Sequence, residues 1–310
     1  MMKKFQNVFK DSISVERLFE SWYLFQKGKR KRQDVQEFGR HVEVNIFDLH
    51  YELAKEHYQH GEYHSFYIHD PKIRRIRKAS VRDRLVHQAI YTTLYQIYDP
   101  KFICHLYYAR VGKGTHRAIN ALSKMIAKVS SNHTATCWSL KCDIQKFYDT
   151  VDQEILFNLI AKVIIDPQML WLIKKVINSY HFEGTPGKGM PIGNLTSQIF
   201  TNIYLNELDQ FVKHKLKVKY YLRFADDLMF LSRDKNYLEK LLPEVESFIK
   251  SKLNLNLHPN KIEIRPDRQG IDYLGFVSLP HYRLLRTKTR KRMIRNLRER
   301  QSEYFENKIN

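Results

Sequence analysis

The stretch KYYLRFADDLMFLS, residues 219–232, decides the reading of this chain. Its first half, KYYLRFA, is short, apolar and partly alternating, as a half-buried strand requires, and its last residues, LMFLS, form a second apolar run. Asp226 and Asp227 stand between them, so the segment is expected to fold as a β-hairpin with both carboxylates at its tip. A third short apolar piece, ATCWSLKCDI, places Asp143 at the end of another strand. Ionised carboxylates in such surroundings are costly unless they are paired or bound to a metal. Taken alone, an Asp-Asp pair is ordinary turn chemistry and a strand-end aspartate ordinarily caps the next element. The alternative is one cluster of three carboxylates neutralised by a divalent cation. Mg²⁺ favours such a donor set, together with substrate phosphate and water.

Between the two strand candidates, apolar residues Ile199, Phe200, Ile203, Tyr204, Leu208 and Phe211 keep helical spacing, which predicts a helix from about Leu195 to Lys213 with Asn194 as its cap. Strands separated by long helices point to an α/β layer arrangement. Upstream, residues 12–60 read as helices interrupted by the basic run GKRKRQD at 28–34, with a second periodic stretch from Val35 to His60. Seven Lys or Arg fall between Lys72 and Arg84, too dense for a strand pair without a partner. The segment DRLVHQAIYTTLYQIYDP then predicts a helix with Asp83 near its start and Pro100 past its end.

Composition narrows the class of partner. Fifty-three Lys and Arg oppose thirty-three Asp and Glu in 310 residues, a net charge of +20. An excess of that size opposes compaction unless a polyanion neutralises it, with nucleic acid first and an anionic membrane second. No apolar run approaches the ~18 residues of a membrane span, and MMKKFQNVFKDSIS lacks a signal-peptide core, so a cytoplasmic protein without a membrane partner is expected. Cys104, Cys137 and Cys142 lack zinc-like spacing and are expected to be buried thiols in a reducing compartment.

Seven strings, in the order the family keeps along its chain, carry a resemblance. YLRFADDLMF resembles the Y-x-D-D hairpin of reverse transcriptases, with Phe224 in place of the usual Tyr, and LKCDIQKFYDTVD resembles their motif A in bacterial and group II intron-like enzymes. GKGMPIGNLTSQIFTNIYLNELD is similar to motif B, and NLHPNKIEI followed by IDYLGF to motifs D and E. PKIRRIRKASVRDRLVHQAI and YYARVGKGTHRAI resemble the finger motifs, so the likeness runs over roughly residues 35–290.

The resemblance implies an α/β (α+β) right-hand polymerase fold. Its parts would be an N-terminal helical extension (1–60), fingers (61–135, with 156–188 inserted), palm (136–155 and 189–279) and a short, basic, helical partial thumb (280–310). It implies an RNA-directed DNA polymerase with two Mg²⁺ ions, replaceable by Mn²⁺, held by Asp143, Asp226, Asp227 and the Ile144 carbonyl. Tyr148 would be the steric gate against a ribose 2′-hydroxyl. Arg74, assisted by Lys72, would hold the incoming triphosphate, with Ile192, Gly193 and Gln198 around the nucleotide. Lys261 would be the general acid toward pyrophosphate. Tyr273, Leu274, Gly275 and Phe276 would be the primer grip.

Where many relatives have Gln-Gly and Ser-Pro in motif B, this chain has Ile192-Gly193 and Ser197-Gln198. IGNLTSQ resembles the enzymes of diversity-generating retroelements, whose apolar residue there is associated with error-prone copying. A compact enzyme of this lineage equally fits a bacterial antiphage defence system with a dedicated noncoding RNA. The implied partners are template or noncoding RNA, nascent DNA and dNTPs. Only about 34 residues follow YLGF, so an accessory protein or second protomer is expected to complete the thumb. The tail from Arg283 to Asn310 carries ten basic residues against three acidic ones, and Arg290, Lys291, Arg292 and Arg295 are expected to contact nucleic acid. Template-independent or protein-templated synthesis at the same site, and a non-catalytic RNA-binding scaffold, are the competing readings.

Overall fold

The structure, a computed structural model, describes residues 3–69 and 72–306; positions 307–310 of the expected basic tail lie outside the described residues. In chain order the elements are α1 (Phe9–Ile13), α2 (Val15–Gln26), α3 (Gln33–Arg40), α4 (Val42–Ala54), β1 (His64–Ile68), β2 (Arg74–Lys78) and α5 (Val81–Tyr98). Then come α6 (Thr115–Val129), β3 (Trp138–Asp143), α7 (Phe147–Thr150), α8 (Gln153–Ala161), α9 (Pro167–Ile177) and α10 (Leu195–Gln210). The chain continues through β4 (Tyr221–Phe224), β5 (Asp227–Ser232), α11 (Lys235–Leu253), β6 (Glu263–Pro266), β7 (Ile271–Tyr273), β8 (Phe276–Ser278), β9 (Arg283–Leu285) and α12 (Thr287–Phe305).

Two compact units result. One comprises Met1–Cys104, Ile144–Phe211 and Ser247–Asn256; the other His105–Asp143, Val212–Glu246 and Leu257–Asn310.

In the first unit, α5 packs against α2 and α10. Ser80 caps α5 by accepting from the Asp83 amide, while Asp152 and Asp166 cap α8 and α9 in the same way. The basic run near residue 30 is a turn, and the second periodic stretch breaks at His41 into α3 and α4. Along α10 the expected apolar residues are buried, but so are Thr196, Ser197, Thr201, Asn202 and Asp209, so this helix is enclosed on more than one face. Asn194 sits at the N-cap without capping: its amide donates to the Arg77 carbonyl at 2.7 Å. After Gln210 the coil widens into a π-helical turn, Phe211–Lys215.

The second unit is built on a four-stranded sheet in the order β4-β5-β3-β6, with a three-stranded sheet β7-β8-β9. Every pairing in these sheets is antiparallel, which gives the expected α/β (α+β) class its α+β form. The reason lies in β5, which enters between β4 and β3 and turns the apparent crossover into hairpin pairing. Helix α6 packs on β4 and β5, where Leu122, Met125 and Ile126 join Leu222, Met229, Leu231 and Tyr273 in one core. Cross-strand partners Tyr221 and Phe230 stack with ring centres 4.8 Å apart. Cys137 and Cys142 are buried, their thiols pushed up to about 12 by desolvation. Cys104 is exposed, contrary to expectation, and lies in the irregular segment beyond α5. Among the described residues no helix is long and apolar enough to cross a membrane.

Candidate active site

The hairpin forms as its sequence demands. Phe224 pairs with Asp227, leaving Ala225 and Asp226 as a two-residue turn. Ala225 has a left-handed φ of 52°, a conformation that costs an L-residue about 1–2 kcal/mol. The fully buried Arg223 opposes that strain by donating from Nη1 to the Ala225 carbonyl at 3.0 Å. On the neighbouring strand Asp143 is the direct register partner of Asp227. A one-residue slip would send these carboxylates to opposite faces, so the apolar register of β3 and β5 also aligns the acids.

Burial, then the charges of Asp227 and Asp143, push the Asp226 carboxyl up to about 6. Burial likewise raises Asp227, opposed by the nearby Lys141 ammonium. Lys261 donates from Nζ to Asp143 Oδ1 at 2.7 Å. It is placed by the 3₁₀ turn Pro259–Lys261, which is anchored where the His258 amide donates to the Asp143 carbonyl. Lys141 and Arg286, which motif reasoning passed over, complete the positive surround. Lys141 donates to the Asp272 carbonyl, and Arg286 pairs with the Asp272 carboxylate. Alternation along LKCD puts Lys141 on the same strand face as Asp143, which was the available signal.

Among the described residues no three His, Cys, Asp or Glu side chains converge closely enough to enclose an ion as they stand. The donor chemistry nonetheless fits a hard divalent cation: three carboxylates, two of them disfavoured as anions by burial and by one another. Ile144, directly after Asp143, is buried.

The YLGF string forms a second tight turn. Tyr273 pairs with Phe276, while Leu274 and Gly275 take φ values of 49° and 88°, the two left-handed residues a type I′ hairpin needs. A β-carbon on Gly275 would press on Thr289 Oγ1 at 3.3 Å, and the Arg286 amide donates to the Gly275 carbonyl, so this turn is fastened to the start of α12. Arg290, Lys291, Arg292 and Arg295 lie on α12, which buries none of its residues.

The remaining expected residues belong to the first unit. Lys146, with φ 46°, starts α7, on which Tyr148 is half-buried with its ring edge-on to Phe147. Strand β2 lies against the start of α10: the Arg77 amide donates to the Ile192 carbonyl at 3.0 Å. Gly193 has φ 108°, and a β-carbon there would meet Ile76 Cγ2 at 2.7 Å. Arg74 and Ile192 line one cleft of about 370 Å³ with Tyr67, Asp149 and Tyr180. Lys72 is exposed and Gln198 half-buried, and neither lines that cleft. Glu183, which no motif had singled out, pairs there with both Arg75 and Arg77. Carboxylates from distant segments thus neutralise the dense basic run, since Lys78 and Arg84 share Asp34 and Arg82 meets Glu52.

The chain is 24% identical to the protein YkfC of Escherichia coli K12 over 287 residues, covering 80% of this chain and 73% of YkfC. It is 29% identical to the group II intron-encoded protein LtrA of Lactococcus lactis over 153 residues, 48% of this chain but only 24% of LtrA. Among solved structures, apo telomerase from Candida tropicalis superposes with a TM-score of 0.52 at 13% identity, over 79% of this chain and 60% of the telomerase chain, a likeness of fold. The family described as reverse transcriptase (RNA-dependent DNA polymerase) matches residues 68–278. Over two-thirds of its length, with the aspartate hairpin inside the match, this chain belongs to the reverse transcriptase family.

Proposed function

We propose that this protein is an RNA-directed DNA polymerase whose chemistry takes place at Asp143, Asp226 and Asp227. The observation that carries the reading is the cross-strand register of Asp143 and Asp227 with Asp226 in the adjoining turn, where burial raises two of the three carboxyls. A scaffold gains nothing from carboxylates concentrated at one strand end, where like charges repel.

The carboxylates, with the Ile144 carbonyl, would hold two Mg²⁺ ions, which when bound activate a primer hydroxyl and steady a leaving pyrophosphate. Lys261, whose ammonium donates to the Asp143 carboxylate, would donate its proton to the leaving group. Arg74, in its cleft beside Ile192, binds triphosphate oxygens in bidentate fashion, assisted by Lys72. The Tyr148 ring excludes a ribose 2′-hydroxyl, and the backbone of Gly193 and the side chain of Gln198 border the nucleotide. The Tyr273–Phe276 turn bears on the primer strand. Ile192 in place of a hydrogen-bonding residue removes one means of holding sugar or base in register, consistent with error-prone copying.

The setting we infer is a bacterial retroelement or antiphage defence system in which the enzyme works with a dedicated RNA. Support comes from the IGNLTSQ pattern, from the net charge of +20, and from a relative whose name states that a group II intron encodes it. An accessory protein or a second protomer is the further partner we infer, docking on the exposed, basic α12. Purification with co-expressed RNA, addition of dNTPs and sequencing of RNA and product tests the reading. Product complementary to the bound RNA, absent from Asp226→Asn, is expected. Product of fixed sequence made without RNA would overturn it in favour of template-independent or protein-templated synthesis.

A further inference from the structure

At the opposite end of the β4–β5 hairpin from the aspartates, the second unit has a cleft of about 510 Å³. β5 spans six residues, so this cleft lies about 17 Å from the carboxylates, one strand length away. Its wall is cationic: Lys128 from α6, Lys217 and Lys219 from the segment entering β4, and Arg233 from the segment leaving β5. Tyr220 and Tyr237 supply aromatic surface, with Tyr237 38% exposed.

The local fold prepares this wall. Val218 is buried and its amide donates to the Val212 carbonyl, while Lys213 donates from Nζ to the carbonyls of Val218 and Lys219. Lys217 takes a left-handed φ of 52°, and Lys217 and Lys219 on either side of Val218 are left exposed. Arg233 is fixed by donating to the Val129 carbonyl and to Ser131 Oγ. The one carboxylate in the lining, Asp234, accepts from the Asn236 amide at the start of α11. Lys128, Lys217 and Lys219 have no carboxylate partner among the described residues. In the basic run before α5, by contrast, the cations are matched by Asp34, Glu52 and Glu183.

Cations without carboxylate partners beside the exposed Tyr237 ring and the half-buried Tyr220, in a cleft the size of a small-ligand pocket, match the chemistry of an unpaired polynucleotide, with phosphates on the cations and a base on Tyr237. We propose that this cleft is a second nucleic-acid site, separate from the aspartates, that holds a single-stranded segment of the bound RNA. Lys128, Lys217 and Lys219 neutralise its phosphates, Arg233 supplies a fixed guanidinium, and Tyr237 stacks on a base. The site tethers the RNA while the chain end is worked on elsewhere.

The test keeps the catalytic site filled with a hairpin template–primer in excess and titrates the full-length enzyme with short fluorescent oligouridylate. A saturable binding event is expected. The triple change Lys128→Gln, Lys217→Gln, Lys219→Gln should weaken it at least tenfold and flatten its log–log salt slope by about 2, from ~0.7 per phosphate contact. Tyr237→Ala should weaken it about tenfold and Tyr237→Phe restore it. Single-nucleotide addition on the hairpin should stay at the unaltered rate in every variant, which also reports an intact fold. Oligothymidylate bound equally well would still support a single-strand site, with displaced DNA as an occupant. Unchanged affinity and slope in the triple variant would overturn the proposal, as would loss of binding to anionic vesicles alone, which would assign the cleft to a lipid surface.

Discussion

Asp143 and Asp227 stand directly opposite one another on β3 and β5, so the backbone pairing that builds the sheet forces two carboxylates together. Like charges in that relation destabilise a sheet. The structure answers locally with Lys261 on Asp143 and with Lys141 and Arg286 near Asp227.

The first expectation follows from that repulsion. Asp226→Asn removes one charge from the cluster without changing its shape. Nucleotide incorporation should fall to background, while thermal stability should hold or rise by about 1 kcal/mol, a few degrees in Tm. Primer extension and calorimetry on the same preparation check both. Retained synthesis would remove Asp226 from the chemistry, and a large drop in Tm would make the residue structural.

Tyr148 gives a second test. Its ring rests edge-on against Phe147 and is only half-buried, so truncation opens space without emptying the core. Tyr148→Ala should raise the relative kcat/KM for ribonucleotides at least tenfold, read by competing a dNTP with its matching rNTP. Unchanged discrimination would make Tyr148 an ordinary packing aromatic.

Acid sensitivity should centre on His87. Burial and the neighbouring His60 hold the His87 imidazole down to about 3, against 6.5 in an unfolded chain. The unfolded state therefore takes up the proton first. The contribution of neutral His87 is complete above about pH 6.5 and erodes as pH falls toward 3, by up to ~1.4 kcal/mol per pH unit. Asp83, Tyr58 and Tyr63 surround the imidazole pair, with Tyr58 donating to Asp83 at 2.8 Å and Tyr63 near His60. Urea unfolding between pH 7 and pH 4 should show this slope in the unaltered chain and a shallower one in His87→Gln. Identical slopes would place the acid sensitivity elsewhere.

Helix α12 supplies the fourth expectation. None of its residues is buried, and Met293, Leu297 and Phe305 are 52%, 66% and 73% exposed. Changing Arg290, Lys291, Arg292 and Arg295 together to Gln should weaken RNA binding and flatten the salt slope by about 2 to 3, from ~0.7 per contact. Product length should shorten more than the single-addition rate falls. Preserved slope and product length would show that the helix is merely solvated.

The hairpin, its two strands and the enclosed helix α10 were legible because apolar period and charge position agree over those residues. Three features were not. The antiparallel order depends on β5 entering between β4 and β3, a pairing that single-strand patterns do not encode. Asn194 has a capping side chain, but the Arg77 carbonyl more than a hundred residues away takes its amide. The basic run before α5 looked unbalanced because its carboxylates, Asp34, Glu52 and Glu183, come from remote parts of the chain. Around the site, motif order located Asp143, Asp226 and Asp227. Lys141 and Arg286 needed the folded neighbourhood, since their relation to Asp227 runs through Asp272 and the sheet.

The close fit of Ile76 on Gly193, with the amide and carbonyl of Arg77 engaged on either side of it, ties together positions over a hundred residues apart. Neither can drift alone. A larger residue at 193 would meet Ile76 and would also strain the backbone at φ 108°, so trimming position 76 alone does not make room for it. Position 192 adjoins this joint: its carbonyl is held by the Arg77 amide, while its side chain lines the cleft that also holds Arg74. A change of side chain at 192 can therefore reshape that cleft without breaking the backbone joint that carries it.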